Sequence, residues 1–295
     1  MKKVVLIYNP YSGDKTFVNY LDYIIDKFQK KYFELYLYRI EKNKRFENLF
    51  KTIKENEKEY AKILVAGGDG TINQVVNFMI KYEIDIPIGI YPVGTCNDFS
   101  VQFNIEKDVK KQTEILLGNN YTLSDIGLIN NKVFINVASF GSLVSTSQKV
   151  DNNAKAVLGP WAYYLKALEE LVQMHPLQVE IETDEGIINE DIFFILIMNG
   201  TSAGGFSKIA NQSKYDDGLF DIIILKKCMF TDYPSVWLDI LGGRHANNKN
   251  IIYMKSKKVN INCNKHVITD IDGENGPDFP LEIRMLEKRL KVITR

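Results

Sequence analysis

The chain has 295 residues, 45% of them hydrophobic and 25% charged, an ordinary globular composition with length enough for two cores. Lys plus Arg and Asp plus Glu both total 37, so no overall field favours nucleic acid or a membrane, and any basic surface must be local. The three cysteines, Cys96, Cys228 and Cys263, are too scattered for a disulfide framework, and the longest wholly apolar run, Ile192–Met198, falls short of the ~20 residues of a membrane helix.

The sequence enters directly on a strand, Val4–Tyr8, with no leader-like stretch ahead of it. A soluble cytoplasmic protein without a nucleic-acid partner is expected. Asn9-Pro10-Tyr11-Ser12-Gly13 reads as a turn. Phe17, Tyr20, Leu21, Ile24, Ile25 and Phe28 then share one helical face. Phe33–Arg39 reads as a second strand. Phe46, Leu49, Phe50 and Ile53 mark a second amphipathic helix, with Glu47 and Lys51 spaced to pair on its wet side. A third unit follows: the apolar run Lys62–Ala66, the loop Gly67-Gly68-Asp69-Gly70, and a helix from about Thr71 carrying Val75, Val76, Phe78, Met79 and Tyr82. Ile86–Tyr91 is a further strand, closed by the loop Pro92–Asp98. The repeated strand–helix unit predicts a parallel α/β sheet, with loops 9–13, 67–71 and 92–98 together at the strand C-terminal ends.

The glycines at the third junction permit positive φ and close approach, and the helix N-terminus that follows favours an anion. Asp69 would repel phosphate unless a divalent cation lay between them, which points to a nucleotide–Mg²⁺ site; as structure alone the loop is a tight turn. Gly94 and Thr95 suit a turn that presents a hydroxyl, and Asn97-Asp98 can cap a helix while bringing a second carboxylate. The P-loop, protein-kinase, serine-hydrolase and zinc-protease patterns are absent, and Cys263-x-x-His266 lacks a second pair for zinc.

After about Ser124 the pattern becomes mostly antiparallel β, as in a sandwich or irregular barrel. The expected elements are a hairpin over Leu128–Val133 and strands over Lys132–Phe140, Gln178–Thr183, Ile192–Met198, Leu219–Leu225, Val259–Cys263, His266–Ile271 and Leu281–Met285, with one helix from about Val150 to Met174. The domains expected are 1–124, joined by a returning C-terminal strand at about 288–295, and 125–287. Asp125 reads equally as a cleft carboxylate or a turn aspartate. Asp272-Gly273-Glu274 reads as a hairpin turn, or as a carboxylate base delivered by the second domain to a cleft lined by the first. Lys155, Trp161, Tyr163, Tyr164 and Lys166 suit either an interfacial surface or a core helix.

Together, Asn9-Pro10 with Ser12-Gly13, Gly67–Thr71, Pro92 with Gly94-Thr95 and Asn97-Asp98-Phe99, and Asp272-Gly273-Glu274 resemble the bacterial diacylglycerol/lipid kinase family, over nearly the whole chain and in order. The wider superfamily includes NAD kinases and sphingosine kinases. The resemblance implies a Rossmann-like α/β nucleotide-binding domain followed by a β-sandwich lipid domain, and an ATP- and Mg²⁺-dependent kinase acting on diacylglycerol or a related lipid at an anionic membrane surface. It implies ATP contacts from Asn9, Pro10, Tyr11, Ser12, Gly13, Gly68, Asp69, Gly70, Thr71, Ile72, Asn73, Gln74 and Thr95. It further implies Asp69, Asp98 and Asp125 around the catalytic Mg²⁺, Glu274 as base, and a structural Mg²⁺ held by the Asp217 side chain and the Lys214 and Leu219 carbonyls. Two departures stand out: Gln74 where the family has Glu, and Ala210-Asn211-Gln212-Ser213 after Gly204-Gly205-Phe206 where it has Ala-Pro-x-Ala. A homodimer is compatible with this reading. The alternatives are an NAD kinase and a non-catalytic, nucleotide-gated lipid-binding protein.

Overall fold

Four apolar runs at the start of the chain become parallel strands of one sheet: β1 (Lys2–Tyr8), β2 (Phe33–Arg39), β3 (Tyr60–Gly67) and β4 (Ile88–Pro92). The computed structural model describes residues 1–41, 46–141, 175–201 and 213–295. The strand order is β2-β1-β3-β4. Val4–Ile7 and Ile63–Ala66 are buried on both faces, as parallel strands covered by helices must be. β2, which pairs with β1 at the end of this order, is half exposed along its length.

The helical face from Phe17 to Phe28 is divided. A 3₁₀ turn over Phe17–Tyr20 precedes α1 (Leu21–Lys30), and the tighter turn puts the Phe17 ring 5.1 Å from that of Tyr91. α2 (Glu47–Glu55) and α3 (Asp69–Lys81) pack through Phe46, Phe50 and Phe78. That packing corrects the expected Glu47–Lys51 pair. Glu47 Oε1 instead accepts from Lys81 Nζ at 2.5 Å and from the Tyr82 hydroxyl at 2.6 Å, and the Lys81 bond, then the Tyr82 bond, hold its carboxyl down at about 2. Two short helices complete the α/β part, α4 (Asp98–Gln102) and α5 (Val109–Leu117). Sequence periodicity missed α5 because polar residues, Gln112 and Thr113, occupy its buried stripe. They bond to Ile90 O at 2.8 Å and to the Tyr91 hydroxyl at 3.0 Å.

The remaining strands are β5 (Tyr121–Ile129), β6 (Lys132–Phe134), β7 (Val137–Gly141), β8 (Leu177–Thr183), β9 (Gly186–Met198), β10 (Phe220–Lys226), β11 (Ile251–Ser256), β12 (Lys258–Cys263), β13 (Thr269–Ile271), β14 (Glu274–Asn275) and β15 (Leu281–Ile293). One further helix, α6 (Tyr233–Leu241), lies between β10 and β11. In the second part the pairings are antiparallel, in the order β14-β13-β7-β9-β8-β12-β15, with β10 between β9 and β11. Their inner faces enclose Phe134, Phe140, Ile181, Ile195, Phe220, Ile261 and Ile283. This is the mostly antiparallel β-sandwich that the alternating sequence predicts.

Contacts divide the chain into two compact units, Met1–Ser124 with Lys288–Arg295, and Asp125–Glu287. The chain leaves the second unit in mid-strand, at Lys288 with φ +50°, and Val292 pairs in parallel with Ile88 of β4. The two strands expected over 281–293 are therefore one. The single strand expected over Lys132–Phe140 breaks at Ile135–Asn136, and the strand expected from His266 is confined to Thr269–Ile271. The helix expected over Val150–Met174, with Lys155, Trp161 and Lys166, lies outside the described residues, as do Gly204–Phe206 and 210–212. No helix among the described residues is long and apolar enough to cross a membrane.

Candidate active site

In the first unit three loops meet backbone to backbone, and glycine makes the approach feasible. A Cβ on Gly13, at φ +54°, would stand 2.2 Å from Val93 O, and one on Gly94 would stand 2.3 Å from Gly68 Cα. Side chains knit the same loops. Asn9 donates its N–H to Ala66 O at 2.9 Å, accepts from Tyr11 N at 3.0 Å through Oδ1, and gives Nδ2 to Thr71 Oγ1 at 3.2 Å. Helix α3 starts at Asp69 with Gly68 as N-cap, two residues before the expected start. Apart from its chain neighbours and the backbone of its own helix, no atom lies within 4 Å of where a Gly70 Cβ would stand. The N-terminal turn of α3 is thus open at the positive end of the helix dipole, a favourable place for an anion.

Asp69 does more than face that opening. Its Oδ2 accepts from Asp98 N at 3.2 Å and its Oδ1 from Phe99 N at 3.0 Å. The cap of α4 therefore comes from the glycine loop. This corrects the expectation that Asn97-Asp98 cap their own helix. Asn97 sits at φ +57° and turns its side chain back on Gly94, accepting from its N–H at 2.9 Å and donating to its carbonyl at 2.8 Å. Asp98 is buried and Thr95 exposed. Asn73 accepts from Asn77 Nδ2 along α3, through its carbonyl at 3.0 Å and Oδ1 at 2.8 Å. Gln74 is exposed, whereas Ile72 is a core side chain that offers only backbone to a ligand. Asn9–Gly13, Gly68–Thr71, Thr95 and Asp98 are thus brought together.

In the second unit Asp125 is fully buried and ties β5 to the loop before β10. Its N–H donates to Tyr215 O at 2.7 Å, its Oδ2 accepts from Gly218 N at 2.7 Å, and its carbonyl accepts from Asn199 Nδ2 at 2.8 Å. In that loop Asp217 Oδ1 accepts from Leu219 N at 3.2 Å, while Oδ2 lies 3.3 Å from Lys255 Nζ. Lys255 also stands 3.4 Å from Asp221 Oδ2, and the Tyr253 hydroxyl donates to Asp221 Oδ1. Lys214 is exposed. Sequence reasoning missed Lys255, Tyr253 and Asp221. The available signal was a carboxylate inside the apolar run Phe220–Leu225.

Asp272-Gly273-Glu274 is the hairpin turn that the sequence offers as one of its two readings. Asp272 at φ +51° and Gly273 at φ +89° form the two-residue loop between β13 and β14, as a type I′ turn requires. The Asp272 carboxylate is an anchor: Oδ2 accepts from Ile135 N at 2.7 Å, and Oδ1 from Asn136 N and Val137 N, each at 2.9 Å. Those bonds end β6 and begin β7, which explains the break in the strand expected there. Glu274 follows, exposed at the start of β14.

The family model of the diacylglycerol kinase catalytic domain matches residues 3–129, and that of the YegS C-terminal NAD kinase beta sandwich-like domain matches residues 136–294. A diacylglycerol kinase of Bacillus subtilis (strain 168) is 35% identical over 295 residues, covering 99% of this chain and 96% of that protein. One of Staphylococcus epidermidis (strain ATCC 12228 / FDA PCI 1200) is 32% identical over 293 residues, covering 99% and 92%. The crystal structure of a diacylglycerol kinase from Bacillus anthracis str. Sterne superposes with a TM-score of 0.80 at 26% identity, covering 100% of this chain and 97% of that one. With matches that run through both units and almost end to end, the chain belongs to the diacylglycerol kinase family and is a lipid kinase.

Proposed function

We propose that the enzyme transfers the γ-phosphoryl group of ATP, presented with Mg²⁺, to the hydroxyl of diacylglycerol or a closely related lipid at the surface of an anionic membrane, from the cytoplasmic side. The observation that carries this reading is the meeting of three glycine loops at the open N-terminus of α3, with Asp69 and Asp98 beside it. In this reading the first unit is the nucleotide domain. Asn9–Gly13, Gly68–Gln74 and Thr95 line the phosphates, with Asn9 and Thr71 fixing two of the loops against each other. Asp69 and Asp98 offer only oxygen donors, the set a hard divalent cation takes. Mg²⁺ held there would offset phosphate charge, the main requirement of phosphoryl transfer.

The second unit is the lipid domain in this reading, and Glu274 is its base. Its exposed carboxylate takes the hydroxyl proton as the lipid oxygen bonds to the γ-phosphorus and the bond to ADP breaks. Asp272, fixed by three backbone amides, holds the turn from which Glu274 projects. Asp125 supports the Tyr215–Gly218 loop, and through it the Asp217 site. That site offers a carboxylate and carbonyls, which fit Mg²⁺ in kind. A bound ion would share Asp217 with the Lys255 ammonium. A thermal melt with and without EDTA tests it: Mg²⁺-dependent stability supports a metal, and indifference to EDTA leaves Lys255 as the counter-ion.

The function is tested by incubating the purified chain with γ-labelled ATP and diacylglycerol in phosphatidylglycerol vesicles, with NAD as a parallel acceptor. Label in the lipid, abolished by chelation, is the expected result. Label in NAD, or none in either acceptor, contradicts the reading. Light scattering in the same preparation reports whether the enzyme is a homodimer.

A further inference from the structure

The three loops of the proposed nucleotide site offer amides and carboxylates but no side-chain cation, since residues 9–13, 67–74 and 92–98 include neither Lys nor Arg. A triphosphate keeps more charge than one divalent ion offsets, and phosphoryl-transfer sites commonly add a fixed Lys or Arg. Arg39 stands where one is wanted. It ends β2 opposite Tyr8, the last residue of β1, and Ile40 N donates to Tyr8 O at 2.9 Å, which carries the pairing one residue further. Its guanidinium carbon lies 5.6 Å from the centre of the Tyr11 ring. Tyr11 belongs to the first loop, which Asn9 ties to α3 by accepting from Tyr11 N at 3.0 Å and donating to Thr71 Oγ1 at 3.2 Å. We propose that Arg39, seated on Tyr11, is a further nucleotide-binding residue that takes two phosphate oxygens of ATP through its N–H groups. The proposal rests on the reading of these loops as the ATP site.

The chemistry of the pair supports this. A guanidinium resting on an aromatic ring uses its flat face, while its five N–H donors lie in the plane and stay free for a forked bond to phosphate. Tyr11 is 47% exposed and Arg39 is exposed too, so that fork is open to a ligand. No carboxylate claims it among the described residues. Asp14, the acid next to the loop, is committed to Thr16, whose N–H and hydroxyl it accepts at 3.0 and 2.8 Å. Lys15, two places past the loop, has no side-chain partner among the described residues. Arg39 is held by the ring, and a held side chain loses less freedom on binding than a loose one.

The test is calorimetry with Mg²⁺–ATP and with Mg²⁺–tripolyphosphate, which has no base, on wild type, Arg39→Ala, Arg39→Lys, Tyr11→Leu and the variant with both Arg39→Ala and Tyr11→Leu. Binding to phosphatidylglycerol vesicles without nucleotide is measured alongside, because a lipid headgroup offers the same phosphate oxygens. Arg39→Ala should weaken both soluble ligands about tenfold, the low end for a hydrogen bond to a charged group. Arg39→Lys should stay at least about threefold weaker than wild type, since an ammonium cannot fork, and it reads the same contact should Arg39→Ala not fold. Tyr11→Leu should cost about threefold, and the double variant no more than Arg39→Ala alone, because the ring acts through the guanidinium. Vesicle binding should not change. Wild-type affinity in Arg39→Ala overturns the proposal. So does a loss confined to ATP, which would put Arg39 on the base, or one confined to vesicles, which would put it on lipid headgroups. Losses that multiply in the double variant overturn the seating on Tyr11. Wild type that binds neither ligand removes the ATP reading and this one with it, whereas normal ATP binding in both wild type and Arg39→Ala removes the Arg39 role alone.

Discussion

Asp69 and Glu47 show how far one carboxylate's partners decide its role. Asp69 bonds two amides of a neighbouring loop, so its removal should affect more than the metal binding proposed for it. Asp69→Ala is expected to abolish turnover and also to destabilise the fold by about 1–2 kcal/mol, the usual loss for a helix cap. Urea unfolding measures the second effect, and an unchanged midpoint would mean that α4 does not need this cap. Glu47 tests the electrostatics between α2 and α3. Its carboxyl is held down at about 2 by Lys81 and Tyr82, below the ~4.3 of an unfolded chain. The stabilisation is therefore present above about pH 4.3 and is lost as pH falls toward 2. Between those limits the unfolding midpoint of wild type should drop more steeply than that of Glu47→Gln. Parallel curves would contradict it, and salt should shrink the difference.

At the scale of elements, the site is a property of loops that touch. A methyl at Gly94 would meet Gly68 Cα at 2.3 Å, and backbone on both sides leaves it nowhere to go. Gly94→Ala should therefore part the two loops and weaken nucleotide binding at least about tenfold by calorimetry; wild-type affinity in that variant would show that the contact is dispensable. This convergence was legible in the sequence, because three glycine-bearing loops follow three buried apolar strands. The long alternating runs of the sandwich were legible for the same reason. What escaped was set by partners distant in the chain. The cap of α4 comes from Asp69, and the break at Ile135–Asn136 is imposed by Asp272 far downstream. Helix α5 went unread because its buried stripe carries Gln112 and Thr113, whose hydrogen bonds take the place of apolar contacts. Lys255 gave no local pattern at all, and only the pairing of β10 with β11 brings it opposite Asp221.

At the scale of the molecule, the chain forms two compact units, and the proposed function divides its chemistry between them. The glycine loops with Asp69 and Asp98 belong to the first, and the hairpin bearing Glu274 to the second. Each unit has its own core, with Leu6, Leu64 and Tyr91 in one and Phe140, Ile195 and Phe220 in the other. Substitutions at the hairpin should therefore leave the glycine loops of the first unit undisturbed. The claim that a base in one unit serves a phosphoryl donor in the other is tested most directly by Glu274→Gln, with nucleotide affinity and lipid phosphorylation measured on one sample. The account predicts unchanged affinity and a turnover reduced about 10²–10⁴-fold, the usual loss of a general base. Turnover close to wild type would contradict it.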